Sequence, residues 1–293
     1  MYIFKTVSNL QRYLFLRRNE GKKIGFVPTM GALHEGHISL IKQSKKTANI
    51  TVCSIFVNPS QFNDKDDLAK YPRTTEADIE LLEKNNCHVL FLPNEKEVYP
   101  NSTSDLPVFD FGYLDKPMEG LFRPGHFTGM AQVVKRLLDI VHPVFLFMGQ
   151  KDYQQFKIVE KMLELTKSKV QLVMCPTLRE KSGLAMSSRN ERLDPSQRKK
   201  AASIYKTLQF ISQHHKTKSV EQVKKEAIEY LYSEASEIKV EYLEICNADN
   251  LMPVVEWKDT AKIVVCIAAK LGNIRLIDNL LISDEPKTSE FGQ

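Results

Sequence analysis

An α/β fold is what the residues specify first: a parallel sheet covered by helices, followed by a smaller α+β domain. Three observations carry that prediction. Apolar runs at 24–27, 50–57, 87–92, 144–147 and 170–174 alternate little between polar and apolar, as strands buried on both faces do. Segments of helical spacing separate these runs, the order expected of crossover units. Beyond Asp194 the order changes to two helices and then three strands, which marks a second domain.

The first strand, Ile24 to Val27, enters Pro28-Thr29-Met30-Gly31-Ala32-Leu33-His34-Glu35-Gly36-His37 and then a helical pattern from Ile38. A helix start behind a strand offers unpaired backbone N–H groups and a positive dipole end to an anion. Gly31 and Gly36 let a phosphate approach the backbone, and the imidazoles of His34 and His37 add donors. The competing readings are a metal pair or two solvent-exposed histidines. Zinc is disfavoured, because no cysteine or third histidine stands nearby at ligand spacing.

The strand at 50–57 runs into Asn58-Pro59-Ser60-Gln61-Phe62, and Pro59 ends it. Amides just past a strand's carboxyl end lie where open α/β sheets bind ligands, although Asn-Pro-Ser is also turn chemistry. Thr74 to Asn86 has helical spacing with a cap expected at Thr75, and the next strand at 87–92 closes at Pro93. The irregular stretch 93–120 is long enough to read as a functional cover. Behind it, Arg123 and His126 of Arg123-Pro124-Gly125-His126-Phe127 are anion contacts, or else a surface arginine and a capping histidine. Phe127, Met130, Val133, Val134, Leu137, Leu138 and Val141 mark the core face of a helix.

The strand at 144–147 repeats the opening pattern in Met148-Gly149-Gln150-Lys151-Asp152-Tyr153-Gln154-Gln155. Lys151 offers a point charge to phosphate. Asp152 either caps the following helix or faces a magnesium–phosphate complex. Gln155 is expected one turn from Lys151 on the same helix face. Leu184-Ala185-Met186-Ser187-Ser188-Arg189-Asn190 reads as a flexible, donor-rich loop suited to pyrophosphate, or as an ordinary solvated loop. Asp194-Pro195 is a helix start, with Ala201, Ile204, Leu208 and Ile211 on its buried face. Ser219 and Gln222 form a capping-box pattern for the next helix. Strands follow at 240–246, 263–270 and 274–280, the last two joined at Leu271-Gly272-Asn273. No element is assigned to residues 1–23. The expected domains are 1–180 and 181–283, with 284–293 a disordered tail.

Composition sets the outer bounds. With 42% hydrophobic residues the chain can bury a sizeable core, and a net charge of +5 suits small anions without arguing for nucleic acid. No basic stripe with interleaved aromatics supports RNA binding. The five cysteines, Cys53, Cys87, Cys175, Cys246 and Cys266, are scattered and read as small core residues in a reducing compartment. No signal pattern or membrane-length apolar run is present, so a soluble cytoplasmic protein without membrane partners is expected.

Taken together, the motifs resemble the pantoate–β-alanine ligase family over almost the whole chain. The resemblance is carried by Pro28 through His37, Phe56-Val57-Asn58-Pro59 with Gln61-Phe62, Tyr71-Pro72-Arg73-Thr74, Arg123 through Phe127, Lys151-Asp152 with Gln154-Gln155, Met186 through Asn190, and Arg275-Leu276-Ile277-Asp278-Asn279. It implies a nucleotidyltransferase with a Rossmann-like core. His34–His37 is similar to the first signature of that superfamily, and Met186–Arg189 is similar to a variant of the other one. The implied reaction joins ATP and pantoate into pantoyl adenylate, which β-alanine attacks to give pantothenate and AMP. A homodimer and a requirement for Mg²⁺ are implied too. Carried over by motif, Met30, Gly31, Ala32, Leu33, His34, Glu35, Gly36 and His37 hold ATP, with His37 in the position usually called the proton donor. Gly149, Gln150, Lys151, Asp152, Leu178, Met186, Ser187, Ser188 and Arg189 complete the ATP set. The catalytic set is His34, His37, Lys151, Ser187, Ser188 and Arg189. Gln61 and Gln155 hold pantoate, with Asn58 and Arg123 beside them, and Gln61 also serves β-alanine. No residue binds metal directly; Mg²⁺ arrives on ATP, near Asp152. Gln150 stands where the family pattern has Glu, and Lys181-Ser182 replaces the usual pair before Gly183. A nucleotidyltransferase that stops at nucleotide transfer is the runner-up, against which Gln61 and Gln155 argue. A nucleotide-binding regulator without catalysis is disfavoured by His34, His37, Lys151 and Arg189.

Overall fold

The computed structural model describes residues 1–62, 68–69, 71–101 and 106–283. The expected tail at 284–293, and residues 102–105 of the expected cover, lie outside that set. The chain divides into two compact units, Met1–Leu178 and a second beginning at Arg179.

The first unit is built on six parallel strands: β1 (Tyr2–Phe4), β2 (Ile24–Thr29), β3 (Ile50–Ile55), β4 (Val89–Phe91), β5 (Phe145–Gly149) and β6 (Gln171–Cys175). Their order is β1-β4-β3-β2-β5-β6. Alternate strand residues enter opposite cores, which is why these runs are apolar throughout. Phe26, Val52, Val89 and Leu146 join the core formed with helices Val7–Asn19, His126–Val141 and Tyr153–Leu165. Val27, Cys53, Leu90 and Phe147 join the core on the other face, with Ile38 and Ile41 of helix Glu35–Thr47 and Leu82 of helix Thr75–Lys84.

The strand order reverses direction beside β2, and the crevice of an open α/β sheet lies at such a point. Backbone pairing shows how it opens. The carbonyl of Ile24 accepts from Val144 on the β5 side, whereas those of Lys23 and Thr29 accept from Ile50 and Phe56 on the β3 side. Ile24, Phe26 and Pro28 therefore face β5. The β2–β5 register ends at Phe26↔Leu146, so the nitrogen of Pro28, which has no hydrogen to donate, faces the gap where the ladder has ended.

In the second unit, helices Ser203–His214 and Val220–Glu234 cover an antiparallel sheet of β7 (Ile238–Asn247), β8 (Lys262–Leu271) and β9 (Ile274–Ser283), in that order. Asp194 caps helix Pro195–Ala201 in a full capping box with Gln197. Gly272, at φ +58°, makes the β8–β9 turn.

Several expectations need correction. Residues 1–23, to which the sequence reading assigns nothing, hold β1 and helix Val7–Asn19. The helix expected to be capped by Thr75 has Thr74 as its N-cap, and the Thr74 hydroxyl goes to Asp78 rather than to a backbone N–H. Ser219 accepts from Gln222 N–H, but the Gln222 side chain turns to Glu226 instead of closing the box. The irregular segment before Gly120 is tied down by Gln154. Its amide donates to the carbonyls of Leu114 (2.8 Å) and Pro117 (2.9 Å) and accepts from Glu119 N–H (3.0 Å).

Candidate active site

The carboxyl ends of β3, β2 and β5, neighbours in the sheet, lead directly into Asn58–Gln61, Met30–His37 and Gln150–Asp152. The middle segment carries the sharpest chemistry. His34 is the N-cap of helix Glu35–Thr47, and its Nδ1 accepts the N–H of Gly36 at 3.1 Å. His37 Nδ1 accepts the N–H of His34 at 3.3 Å, and the two rings lie 4.1 Å apart. An Nδ1 that accepts a hydrogen bond leaves the proton of a neutral imidazole on Nε2. Both rings therefore carry an Nε2–H donor. Burial and the nearby Lys151 ammonium push His34 down to about 4; burial, His34 and Lys151 push His37 down to about 3. Both imidazoles are neutral at pH 7, which makes them donors rather than stored acids.

The turn itself differs from expectation. Its backbone N–H groups are already engaged. Gly31 donates to the Thr29 hydroxyl (3.2 Å), and Ala32 and Leu33 donate to the carboxylate of Asp78 (2.9 and 2.7 Å). Nothing in the sequence pattern singles out Asp78, because it lies 46 residues from Ala32 on a helix of ordinary surface pattern.

Gln61 is buried, and its amide nitrogen reaches the Met30 sulfur at 2.7 Å, joining the β3 and β2 segments. Its backbone carbonyl accepts from His126 Nδ1 at 2.9 Å. The Arg123 guanidinium donates to His126 Nε2 at 3.1 Å, which places the ring proton on Nδ1 and completes a chain Arg123–His126–Gln61. Burial and Arg123 push His126 down to about 4. Arg123 also pairs with Glu119 at 3.6 Å. Arg123 thus holds His126 and Glu119 while its side chain stays partly exposed.

Asn58 is engaged more fully still. At 1% exposure, its NH₂ donates to Ser60 Oγ and the Gly129 carbonyl, and its oxygen accepts from Tyr99 and Ser60. That amide is a strut, with its capacity taken up inside the protein.

Lys151 and Asp152 lie in a 3₁₀ turn before helix Tyr153–Leu165, so the expected shared helix face of Lys151 and Gln155 does not form. Gln155 is half-buried on the first turn of the helix, and Gly149 and Gln150 are half-buried at the strand end. Asp152 caps no backbone N–H, and its half-exposed carboxylate stands 4.0 Å from Lys151 Nζ. Leu178, at the end of the first unit, is exposed.

Met186, Ser187, Ser188 and Arg189 belong to the second unit. The expected loop takes up a 3₁₀ turn at Ser188–Arg192, with the Ser187 hydroxyl accepting from Arg189 N–H. Buried Asn190 fastens it to the Ala185 carbonyl and Glu180. Arg179 anchors the preceding strap through a bidentate pair with Asp278 (2.6 and 3.0 Å) and stacks 3.6 Å over the Tyr205 ring.

Comparison with known proteins matches residues 2–281 to the family model described as pantoate-beta-alanine ligase. The chain belongs to the pantoate–β-alanine ligase family. A pantothenate synthetase of Azobacteroides pseudotrichonymphae is 46% identical over 96% of this chain and 99% of its own length. One from Bacteroides thetaiotaomicron is 44% identical over 96% and 98%. The crystal structure of pantothenate synthetase from Thermus thermophilus superposes with a TM-score of 0.89 at 37% identity, covering 96% of this chain and 99% of that one. The pantoate-beta-alanine ligase of Francisella tularensis, solved in complex with β,γ-ATP and β-alanine, gives 0.77 at 34%, covering 96% and 97%. These ligases share the six-stranded parallel sheet and the small antiparallel sheet described above.

Proposed function

We propose that the chain condenses pantoate with β-alanine through a pantoyl adenylate, releasing pyrophosphate and AMP, and that the sheet-end residues of its first unit carry the adenylation. The observation that carries this reading is the pair of neutral imidazoles with fixed Nε2–H donors beside Lys151. Pantoate is already ionised at pH 7, its carboxyl pKa being roughly 4, so the first step needs no general base. It needs neutralisation of charge building at the α-phosphate and in-line alignment of the acid. His34, His37 and Lys151 are assigned to the phosphates. Gln61 and Gln155 are assigned to pantoate, since neutral amides recognise hydroxyls and a carboxylate without an ion pair that would blunt the attacking oxygen. Gln61 is assigned to β-alanine as well.

By motif, Ser187, Ser188 and Arg189 are assigned to the nucleotide, together with Met30, Gly149, Gln150, Asp152, Leu178 and Met186. Mg²⁺ brought with ATP supplies further positive charge. Asp152, with a carboxylate that caps nothing, fits beside it, and among the described residues no three His, Cys, Asp or Glu side chains form a metal cage of their own. A homodimer in the cytoplasm is the setting we assign; no helix among the described residues is long and apolar enough to cross a membrane.

The test is AMP release with pantoate, β-alanine and ATP, omitting each in turn, together with ATP–pyrophosphate exchange. AMP is expected only with all three, and exchange with ATP and pantoate alone. Exchange that ignores pantoate would favour a different nucleotidyltransferase.

A further inference from the structure

Asp78 occupies the place where a phosphate would be sought. Gly31 and Ala32 are consecutive left-handed residues, at φ +84° and +50°. Such a turn gathers successive N–H groups into a cup for an anion. Here the cup already holds one. Asp78, 2% exposed, receives Ala32 N–H on Oδ2 at 2.9 Å and Leu33 N–H on Oδ1 at 2.7 Å. The Thr74 hydroxyl donates to Oδ1 at 3.1 Å.

A left-handed alanine is strained and persists only where its surroundings impose it. The carboxylate is that imposition. The next residue after Leu33 is His34, whose own N–H fixes the ring of His37. The chain of control therefore runs from Asp78 through the strained turn to both imidazoles.

We infer that Asp78 is a positioning residue, an internal anion that holds the Gly31–Leu33 turn in shape and thereby aims His34 and His37; the phosphates of a nucleotide are left to the side chains rather than to these backbone N–H groups. The inference rests on the functional reading above for its kinetic consequence, but not for its structural one.

The test uses the full chain with Asp78→Asn and Asp78→Ala. Asparagine keeps the size but turns an NH₂ toward a backbone N–H. Asp78→Asn is expected to slow pantoate-dependent exchange by about 10–100-fold, the scale of a misplaced catalytic group, with the pantoate KM moved less than the ATP KM. In ¹⁵N spectra of the histidines, the two fixed Nε2–H signatures of the native chain should be lost or averaged. Asp78→Ala opens a vacant anion cup, and formate at tens of millimolar should restore exchange where chloride at equal ionic strength does not. Asp78→Asn with native rates and native imidazole signals would overturn the inference, as would a folded Asp78→Ala that formate leaves unchanged. If the native chain shows no exchange, the functional reading fails, and the imidazole spectra still decide the role of Asp78.

Discussion

Two imidazoles with Nδ1 tied to backbone N–H groups act as fixed neutral donors, and this shapes what single substitutions should do. Removing such a donor typically costs ~100–1000-fold in rate. His37→Gln is therefore expected to slow the exchange reaction on that scale; full exchange with amide formation alone lost would assign His37 to the second step. Gln155→Ala should raise the KM for pantoate far more than that for ATP, and equal changes in steady-state kinetics would count against its assignment. His126 makes a prediction about stability. It titrates at about 4 in the fold against 6.5 in its ordinary state. As pH falls below 6.5, the unfolded chain takes up a proton that the fold refuses, so stability drops through the window from about 6.5 to about 4 and is untouched above it. One imidazole contributes a slope of about 1.4 kcal/mol per pH unit there. Urea titrations between pH 7 and 5 should show that slope reduced by this amount in His126→Gln; an unchanged slope would mean the ring is charged in the fold.

At the scale of elements, the site is assembled by close contact between one helix and one strand end. Helix His126–Val141 lies against Asn58–Gln61 so tightly that a Cβ at Gly129 would stand 2.3 Å from the Ser60 carbonyl oxygen. Gly129→Ala must push the helix away, at a cost of about 1–3 kcal/mol typical of overpacking. Since the same segment carries Gln61, the pantoate KM should rise with the loss of stability, and denaturant melts with kinetics on the same sample would show both. Elements were legible where period and punctuation agreed: Pro59 and Pro93 stopping strands, Asp194-Pro195 starting a helix. They were not legible at the N-terminus. β1 is three residues long, helix Val7–Asn19 has no side-chain cap bond, and exposed Phe15 and Leu16 beside buried Leu14 blur its apolar stripe.

For the whole molecule, the cysteines give a direct test of the cores. All five described thiols are free and buried. Burial pushes Cys87 up to about 11 and Cys175 and Cys246 up to about 12, so little thiolate exists to react. A thiol reagent at pH 8 should label none in the native protein and five after denaturation; fast labelling of a native thiol would place it outside the core. The local pattern of residues determined the α/β class, most strand positions, the family and the nucleotide signature, because apolar period, Gly and Pro act over a few neighbours. Tertiary structure alone decided that Asp78 fills the anion cup, that Asn58 is buried against Gly129 and Tyr99, that Arg123 bonds His126, and that both imidazoles keep their proton on Nε2. Asp78 and Asn58 depend on backbone partners far along the chain, and Arg123 and the two imidazoles on side-chain orientations that only the folded turns fix; residue type and spacing encode neither.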